Sequence, residues 1–239
     1  AMITARRAPA GAGTQDATLA FGGDDETTSS GDSCCCGDCG GSSYVRITGC
    51  TEEYNGSSWS AGGTLIQGTN QHAGAGTQNA GLAFGGNFGY NLGYTEEYNG
   101  SSWSSTGCFW TGRQSLAGAG TQDAALAFGG IPQSFFGGAS TLTCTEEYNG
   151  SFWIQAGALI TQRCALAGAG TQNAALAIGG YSPPINTCTE EYDGTSWSGG
   201  GNLIQTNNCL AGAGTQNAGL AFGGQLGETC TEEYNGSSW

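Results

Sequence analysis

The stretch Ala73-Gly74-Ala75-Gly76-Thr77-Gln78-Asn79-Ala80-Gly81-Leu82-Ala83-Phe84-Gly85-Gly86, followed by Thr95-Glu96-Glu97-Tyr98-Asn99-Gly100-Ser101-Ser102-Trp103, is one copy of a unit that occurs five times. Ala-Gly-Ala-Gly-Thr-Gln begins at Ala10, Ala73, Ala117, Ala167 and Ala211. Each copy continues to a Gly-Gly pair, at Gly22–Gly23, Gly85–Gly86, Gly129–Gly130, Gly179–Gly180 and Gly223–Gly224. Thr-Glu-Glu-Tyr follows, from Thr51, Thr95, Thr145, Thr189 and Thr231, at spacings of 44, 50, 44 and 42 residues. A tryptophan closes each copy: Trp59, Trp103, Trp153, Trp197 and Trp239. Self-similarity at this period marks a repeat architecture.

Each unit reads as four short strands. Ala-Gly-Ala-Gly is the first. The second, such as Ala80–Phe84, alternates small and large residues, as a strand with two different faces does. Thr-Gln-Asn or Thr-Gln-Asp makes a polar hairpin tip between them. Thr-Glu-Glu-Tyr is the third strand. Asn-Gly or Asp-Gly then tolerates positive φ and marks a tight hairpin, expected as type I′, into a fourth strand that opens at the tryptophan. Four-stranded units of this length are propeller blades. First strands line the axis of a propeller, and alanine and glycine let them approach closely. The aromatic residues are then expected between blades.

Gly-Gly, then tyrosine, then tryptophan at these spacings resembles the kelch repeat over nearly the whole chain, with an unusually high Ala/Gly content. The chain looks most like kelch-like repeat arrays in structural and fibre proteins of bacteriophages. The fold expected is all-β: one five-bladed β-propeller over 1–239, with units at approximately 1–59, 60–103, 104–153, 154–197 and 198–239. Thirteen residues separate each internal tryptophan from the next Ala-Gly-Ala-Gly, and the chain stops at Trp239. Ala1–Arg7 resembles the tail of that connection, as in Ala158–Arg163. The N-terminal segment is therefore expected to complete the last blade and close the ring, which removes two open edges.

Variation between repeats separates scaffold from decoration. The stretch between Gly-Gly and Thr-Glu-Glu-Tyr holds 27 residues in the first unit (24–50, the long loop insert), then 8, 14, 8 and 6. These loops and the constant connections leave on one face. Recognition commonly sits on loops held by a rigid scaffold. Phe88, Tyr90, Tyr94, Phe135, Phe136 and Tyr181 are the candidate binding residues, because aromatic side chains stack on sugar rings or anchor protein contacts.

Composition narrows the chemistry. Of 239 residues, 46 are glycine without a three-residue period, which excludes collagen. The formal net charge is −14, so a nucleic-acid backbone would be repelled. No apolar run is long enough to span a bilayer. The start carries neither an initiator methionine nor a signal peptide, which suggests processing or a piece of a longer protein. His72 is the single histidine, read as a surface loop residue, and a serine or cysteine triad or a catalytic metal site needs such groups. Gly-Ala-Gly-Thr-Gln-Asn sits in a strand–turn–strand setting, so it is not a phosphate loop. The two glutamates of each Glu-Glu pair point to opposite faces and do not form a catalytic dyad. Arg6, Arg113 and Arg163 hold equivalent positions, with Thr69 and Asn207 in the other units, so internal Glu–Arg pairs are expected. Asn-Gly-Ser at Asn55, Asn99, Asn149 and Asn235 is a formal glycosylation sequon that the hairpin turns explain.

Eleven cysteines favour an oxidising setting. Cys50, Cys144, Cys188 and Cys230 each precede Thr-Glu-Glu-Tyr. Cys164–Cys188 and Cys209–Cys230 are candidate within-blade disulfides, with Cys108–Cys144 a further pair and Cys36, Cys39 and Cys50 candidates in the long loop. One Cys-x-x-Cys is too little for structural zinc. No cofactor is expected. The reading is a non-enzymatic structural or adhesive module, extracellular or on a virion (tail, fibre or capsid decoration). Its partners would be copies of itself or neighbouring proteins, with a free lectin as the alternative and neither nucleic acid nor membrane insertion.

Overall fold

The computed structural model describes residues 1–25, 46–89, 93–132, 140–183, 185–225 and 230–239. It is an all-β propeller of five blades. In blade 1 the strands are Ala10–Thr14, Ala17–Phe21, Thr51–Tyr54 and Trp59–Ala61, paired in that order. Blades 2, 3 and 4 repeat the pattern from Ala73, Ala117 and Ala167, every pairing antiparallel. Blade 5 has three strands, Ala211–Thr215, Ala218–Phe222 and Thr231–Tyr234, with Trp239 at the place where a fourth would begin.

Register follows the repeat. Phe84 faces Ala73 on one side and Thr95 on the other, and Tyr98 faces Trp103. The Asn-Gly hairpins differ from type I′, which needs positive φ at both central residues. Only the glycine is left-handed, as at Gly100 (φ 87°). The Asn99 side chain instead accepts the Ser101 and Ser102 N–H groups at 3.0 and 2.9 Å, closing a four-residue loop.

The core consists of layers between blades. In each layer a leucine and a Phe or Ile from the second strand of one blade meet alanines, the tyrosine and the tryptophan of the next. Phe21 lies 5.0 Å from Trp103, Phe84 5.1 Å from Trp153 and Phe128 4.9 Å from Trp197. The alternation of the second strand is thus a division of labour: large residues face forward and small ones backward. Glycine in the first strand lets neighbouring blades touch at the axis. A Cβ on Gly168 would stand 2.3 Å from the Gly118 carbonyl oxygen.

Polar latches repeat with the layers. The Tyr98, Tyr148, Tyr192 and Tyr234 hydroxyls donate to Glu53, Glu97, Glu147 and Glu191 of the preceding blade at 2.5–2.7 Å. Indole N–H groups of Trp103, Trp153, Trp197 and Trp239 donate to Thr51, Thr95, Thr145 and Thr189. The tip glutamines Gln78, Gln122, Gln172 and Gln216 donate to the tyrosine carbonyls of the preceding blade.

The N-terminal segment does not complete blade 5. The Ile3 and Thr4 N–H groups donate to the Glu52 carboxylate of blade 1 at 2.6 and 3.1 Å. The segment therefore occupies the place that the inter-blade connection takes before every other blade. The first strands of blades 1 to 5 are neighbours in succession, and the first strands of blades 5 and 1 are not packed in the same way. The outer flanks of blades 1 and 5 are left partly open. Phe222 is 39% exposed, whereas its counterparts Phe21, Phe84, Phe128 and Ile178 are at most 1% exposed.

Candidate recognition face

Every connection into a blade is held by the first glutamate of that blade's Thr-Glu-Glu-Tyr. Glu96 accepts the Ile66 and Gln67 N–H groups, both at 2.8 Å. Glu190 accepts those of Ile160 and Thr161 at 2.7 and 3.1 Å, Glu232 those of Ile204 and Gln205 at 2.7 and 3.3 Å, and Glu146 that of Trp110 at 3.2 Å. Three of these carboxylates also meet an arginine, in Arg6–Glu52 (3.4 Å), Arg113–Glu146 and Arg163–Glu190 (2.8 Å). The expected internal Glu–Arg pairs are therefore present. In blade 2, Thr69 replaces the arginine, leaving a cavity of about 10 Å³ beside Glu96, the room of one water. Burial raises the Glu96 carboxyl above its ordinary value.

These clamps have a consequence at the surface. The first residue whose N–H each glutamate takes carries a large apolar side chain in all five blades: Ile3, Ile66, Trp110, Ile160 and Ile204. Their exposures are 61, 63, 82, 63 and 74%. The preceding residues Leu65, Phe109, Leu159 and Leu203 are buried and anchor the connection from below. The same connections bond to the variable loops, as Phe109 N–H to the Gly93 carbonyl (2.8 Å) and Leu159 N–H to the Thr143 carbonyl (2.9 Å). Connections and variable loops therefore share one face, which presents one exposed apolar residue per blade on a backbone that is pinned in place.

The aromatic candidates divide. Phe88 and Tyr94 are exposed, at 44 and 48%, on the loop face of blade 2. Tyr181 is half-buried and its backbone pairs with Cys164 and Ile185. Tyr90, Phe135 and Phe136 lie outside the described residues, as do Cys36 and Cys39. The sequence alone does not single out the five clamped residues, because four are isoleucines, which carry no recognition signal, and Trp110 falls in a constant connection and not in a variable loop. Their repetition immediately after a leucine or phenylalanine was the clue available.

Two expectations are corrected. His72 is buried (7% exposed), with its ring 5.4 Å from that of Phe21. It stands where other blades have Leu116, Leu166 and Leu210, so the fold treats it as a core residue. Neither ring nitrogen has a well-formed hydrogen bond. Burial lowers its pKa to about 3, only slightly offset by the Phe21 backbone, so the imidazole is neutral and sealed from any substrate. The cysteine pairing also differs. Cys50, Cys108, Cys144 and Cys188 are free thiols and the Cys230 thiol donates to Gln205 Oε1 at 3.7 Å, so Cys164–Cys188, Cys209–Cys230 and Cys108–Cys144 do not form. Cys164 pairs along the backbone with Tyr181 and shares a small cluster with Cys209 of the next blade. Both Cys164 and Cys209 are disulfide-bonded.

Among the described residues, no group of three or more His, Cys, Asp or Glu side chains is placed to hold a metal ion. No protein-family model matches the chain, and no curated protein matches it. The repeat and the blade geometry therefore carry the fold by themselves.

Proposed function

We propose that this chain is a non-enzymatic structural and adhesive module, part of an extracellular or virion assembly, that docks a neighbouring protein through its loop face. The carrying observation is the five-fold set Ile3, Ile66, Trp110, Ile160 and Ile204, each exposed while its backbone is clamped by a glutamate that is buried in blades 1 to 4 and half-buried in blade 5. Pre-ordered apolar groups bind without a large ordering cost, and aliphatic ones suit a protein surface better than a sugar. The kelch-like repeat pattern, and its likeness to arrays in bacteriophage structural and fibre proteins, fits a tail, fibre or capsid-decoration role. The acidic balance of −14 turns such a module away from nucleic acid.

A carbohydrate-binding reading has one observation in its favour: Trp110, Tyr94 and Phe88 are exposed aromatic residues on the same face. The test is the native mass of the protein taken from its source under non-reducing conditions, with micrographs of the same fraction. Large particles or fibres are expected, lost from a Trp110→Ser/Ile160→Ser variant that still folds. A 24.0 kDa monomer displaced from a surface by a soluble sugar overturns the assembly role in favour of a lectin.

A further inference from the structure

The arginine that meets the first glutamate of Thr-Glu-Glu-Tyr holds one place in three blades. The Arg6, Arg113 and Arg163 side chains are fully buried, and each guanidinium gathers a carboxylate and main-chain carbonyls around one positive charge. Arg6 donates to the Cys50 and Ala20 carbonyls at 2.8 and 3.1 Å, beside Glu52. Arg163 donates to the Cys188 and Gly179 carbonyls at 2.7 and 3.2 Å and to Glu190 at 2.8 Å. Arg113 donates to the Ala127 carbonyl at 3.4 Å and to Glu146. In blade 5 the Asn207 carboxamide stands there and donates to the Gly223 carbonyl at 2.6 Å. Blade 2 keeps the acceptors. Glu96 is buried, and Ala83, Gly85 and Tyr94 are the counterparts of the residues whose carbonyls the arginines bond. Thr69 brings only a hydroxyl to them, 3.4 Å from the Gly85 carbonyl oxygen. These five residues line the cavity of about 10 Å³ beside Glu96.

We propose that blade 2 binds one small monovalent cation (sodium, potassium or ammonium) at the place that a guanidinium takes in blades 1, 3 and 4. The charge is set by Glu96. A single buried carboxylate calls for a single positive charge, as Glu52, Glu146 and Glu190 receive from their arginines, and a buried charge without a partner is costly. The size is set by the cavity, which has the room of one water and is too small for a free guanidinium. The donor set is oxygen throughout: the Glu96 carboxylate, the Thr69 hydroxyl and the carbonyls of Ala83, Gly85 and Tyr94. Such oxygens replace the hydration shell of a monovalent ion. A calcium site gathers more oxygens, with several carboxylates among them. The raised proton affinity of the Glu96 carboxyl is the same demand for positive charge. Glu96 also accepts the Ile66 and Gln67 N–H groups, so the ion steadies the part of the loop face that presents Ile66. This site stands apart from the assembly reading, and either can fail without the other.

The experiment is urea unfolding of the purified chain at neutral pH in the chlorides of sodium, potassium, ammonium and choline, all at one ionic strength. Choline screens the surface charge equally and is too large for the cavity. At least one small cation is expected to raise the unfolding midpoint above its value in choline. With choline making up the ionic strength, each tenfold rise of that cation above its dissociation constant should move the folding equilibrium about tenfold toward the folded state. Thr69→Arg should abolish the difference between salts, because its guanidinium takes the place of the ion. Glu96→Gln removes the charge that calls for the ion and should abolish the difference as well. Equal midpoints for the parent chain in all four salts would mean that the cavity holds water only, and would overturn the proposal. A preference for a small cation that persists in either variant would also overturn it, since the ion would then act elsewhere on the chain.

Discussion

His72 makes the stability of this protein depend on pH below about 6.5. It is the single histidine, buried and neutral, with its pKa lowered to about 3 by burial. In the unfolded chain it titrates near the ordinary value of about 6.5. Between those values the unfolded state binds the extra proton, so acid pulls the equilibrium toward unfolding. The contribution is fully present above about pH 6.5 and is lost as pH falls toward the folded value. From about pH 7 to about pH 5 the loss is about 2 kcal/mol, and a folded pKa one unit higher barely changes it. Glu96 acts in the opposite sense. Its raised folded pKa favours the protonated carboxyl in the fold, so it slightly offsets the loss at the acid end. Urea unfolding at the two pH values measures the effect. With a slope of about 3 kcal/mol/M, the midpoint should fall by roughly 0.7 M. The control is His72→Leu, because leucine stands at this position in blades 3, 4 and 5 as Leu116, Leu166 and Leu210. That variant should lose most of the pH dependence and be at least as stable at neutral pH, since it removes two ring nitrogens without good partners. An equal acid shift in the leucine variant would refute the assignment of this slope to His72.

Other substitutions probe the latches and clamps. Arg163→Leu removes the cation that meets Glu190 at 2.8 Å and leaves a buried carboxylate with only backbone donors, at a cost of about 3 kcal/mol in chemical unfolding. Less than about 1 kcal/mol would mean that the pair does not hold blade 4. Thr69→Arg supplies blade 2 with the residue its neighbours already have. The Glu96 carboxyl, followed by NMR, should then titrate lower than in the parent chain, and an unchanged titration would show that the arginine does not reach it. Burial is the leading reason that the phenols of Tyr98, Tyr192 and Tyr234 titrate above their ordinary range and that Tyr148 is pushed up to about 12. Their ultraviolet ionisation should lag behind that of the same chain unfolded in urea as pH rises. Stability should fall above about pH 10, because the unfolded phenols give up protons first.

Much of the scaffold was legible in the chain because the same constraint is written five times. Agreement among copies turned weak local signals into a blade: small first strand, alternating second strand, Thr-Glu-Glu-Tyr, hairpin, tryptophan. The alignment of Arg6, Arg113 and Arg163 likewise announced their glutamate partners. The site was less legible. An isoleucine reads as core wherever periodicity alone is used, and only three-dimensional burial separates Leu159, at 3% exposed, from Ile160 beside it. His72 reads as a loop residue because its neighbours Asn70 and Gln71 are polar, yet the fold buries its ring beside Phe21 and Gly22 of blade 1. The cysteines share positions in the repeat, but a sulfur's direction depends on the backbone pairing of its own loop, and Cys164 follows Tyr181.

By itself the sequence determined the all-β class, the number of blades, the strand order within each and the residues available to pack between them. Those follow from local alternation and from repetition, which are properties of the chain. The tertiary structure decided what depends on relations between blades. It turns large side chains forward and alanines back, buries the lone histidine, lifts one apolar residue per blade into solvent, and lays the N-terminal segment on blade 1. That last placement follows from hydrogen bonding: Glu52 lies buried in blade 1 and takes the nearest backbone donors, Ile3 and Thr4.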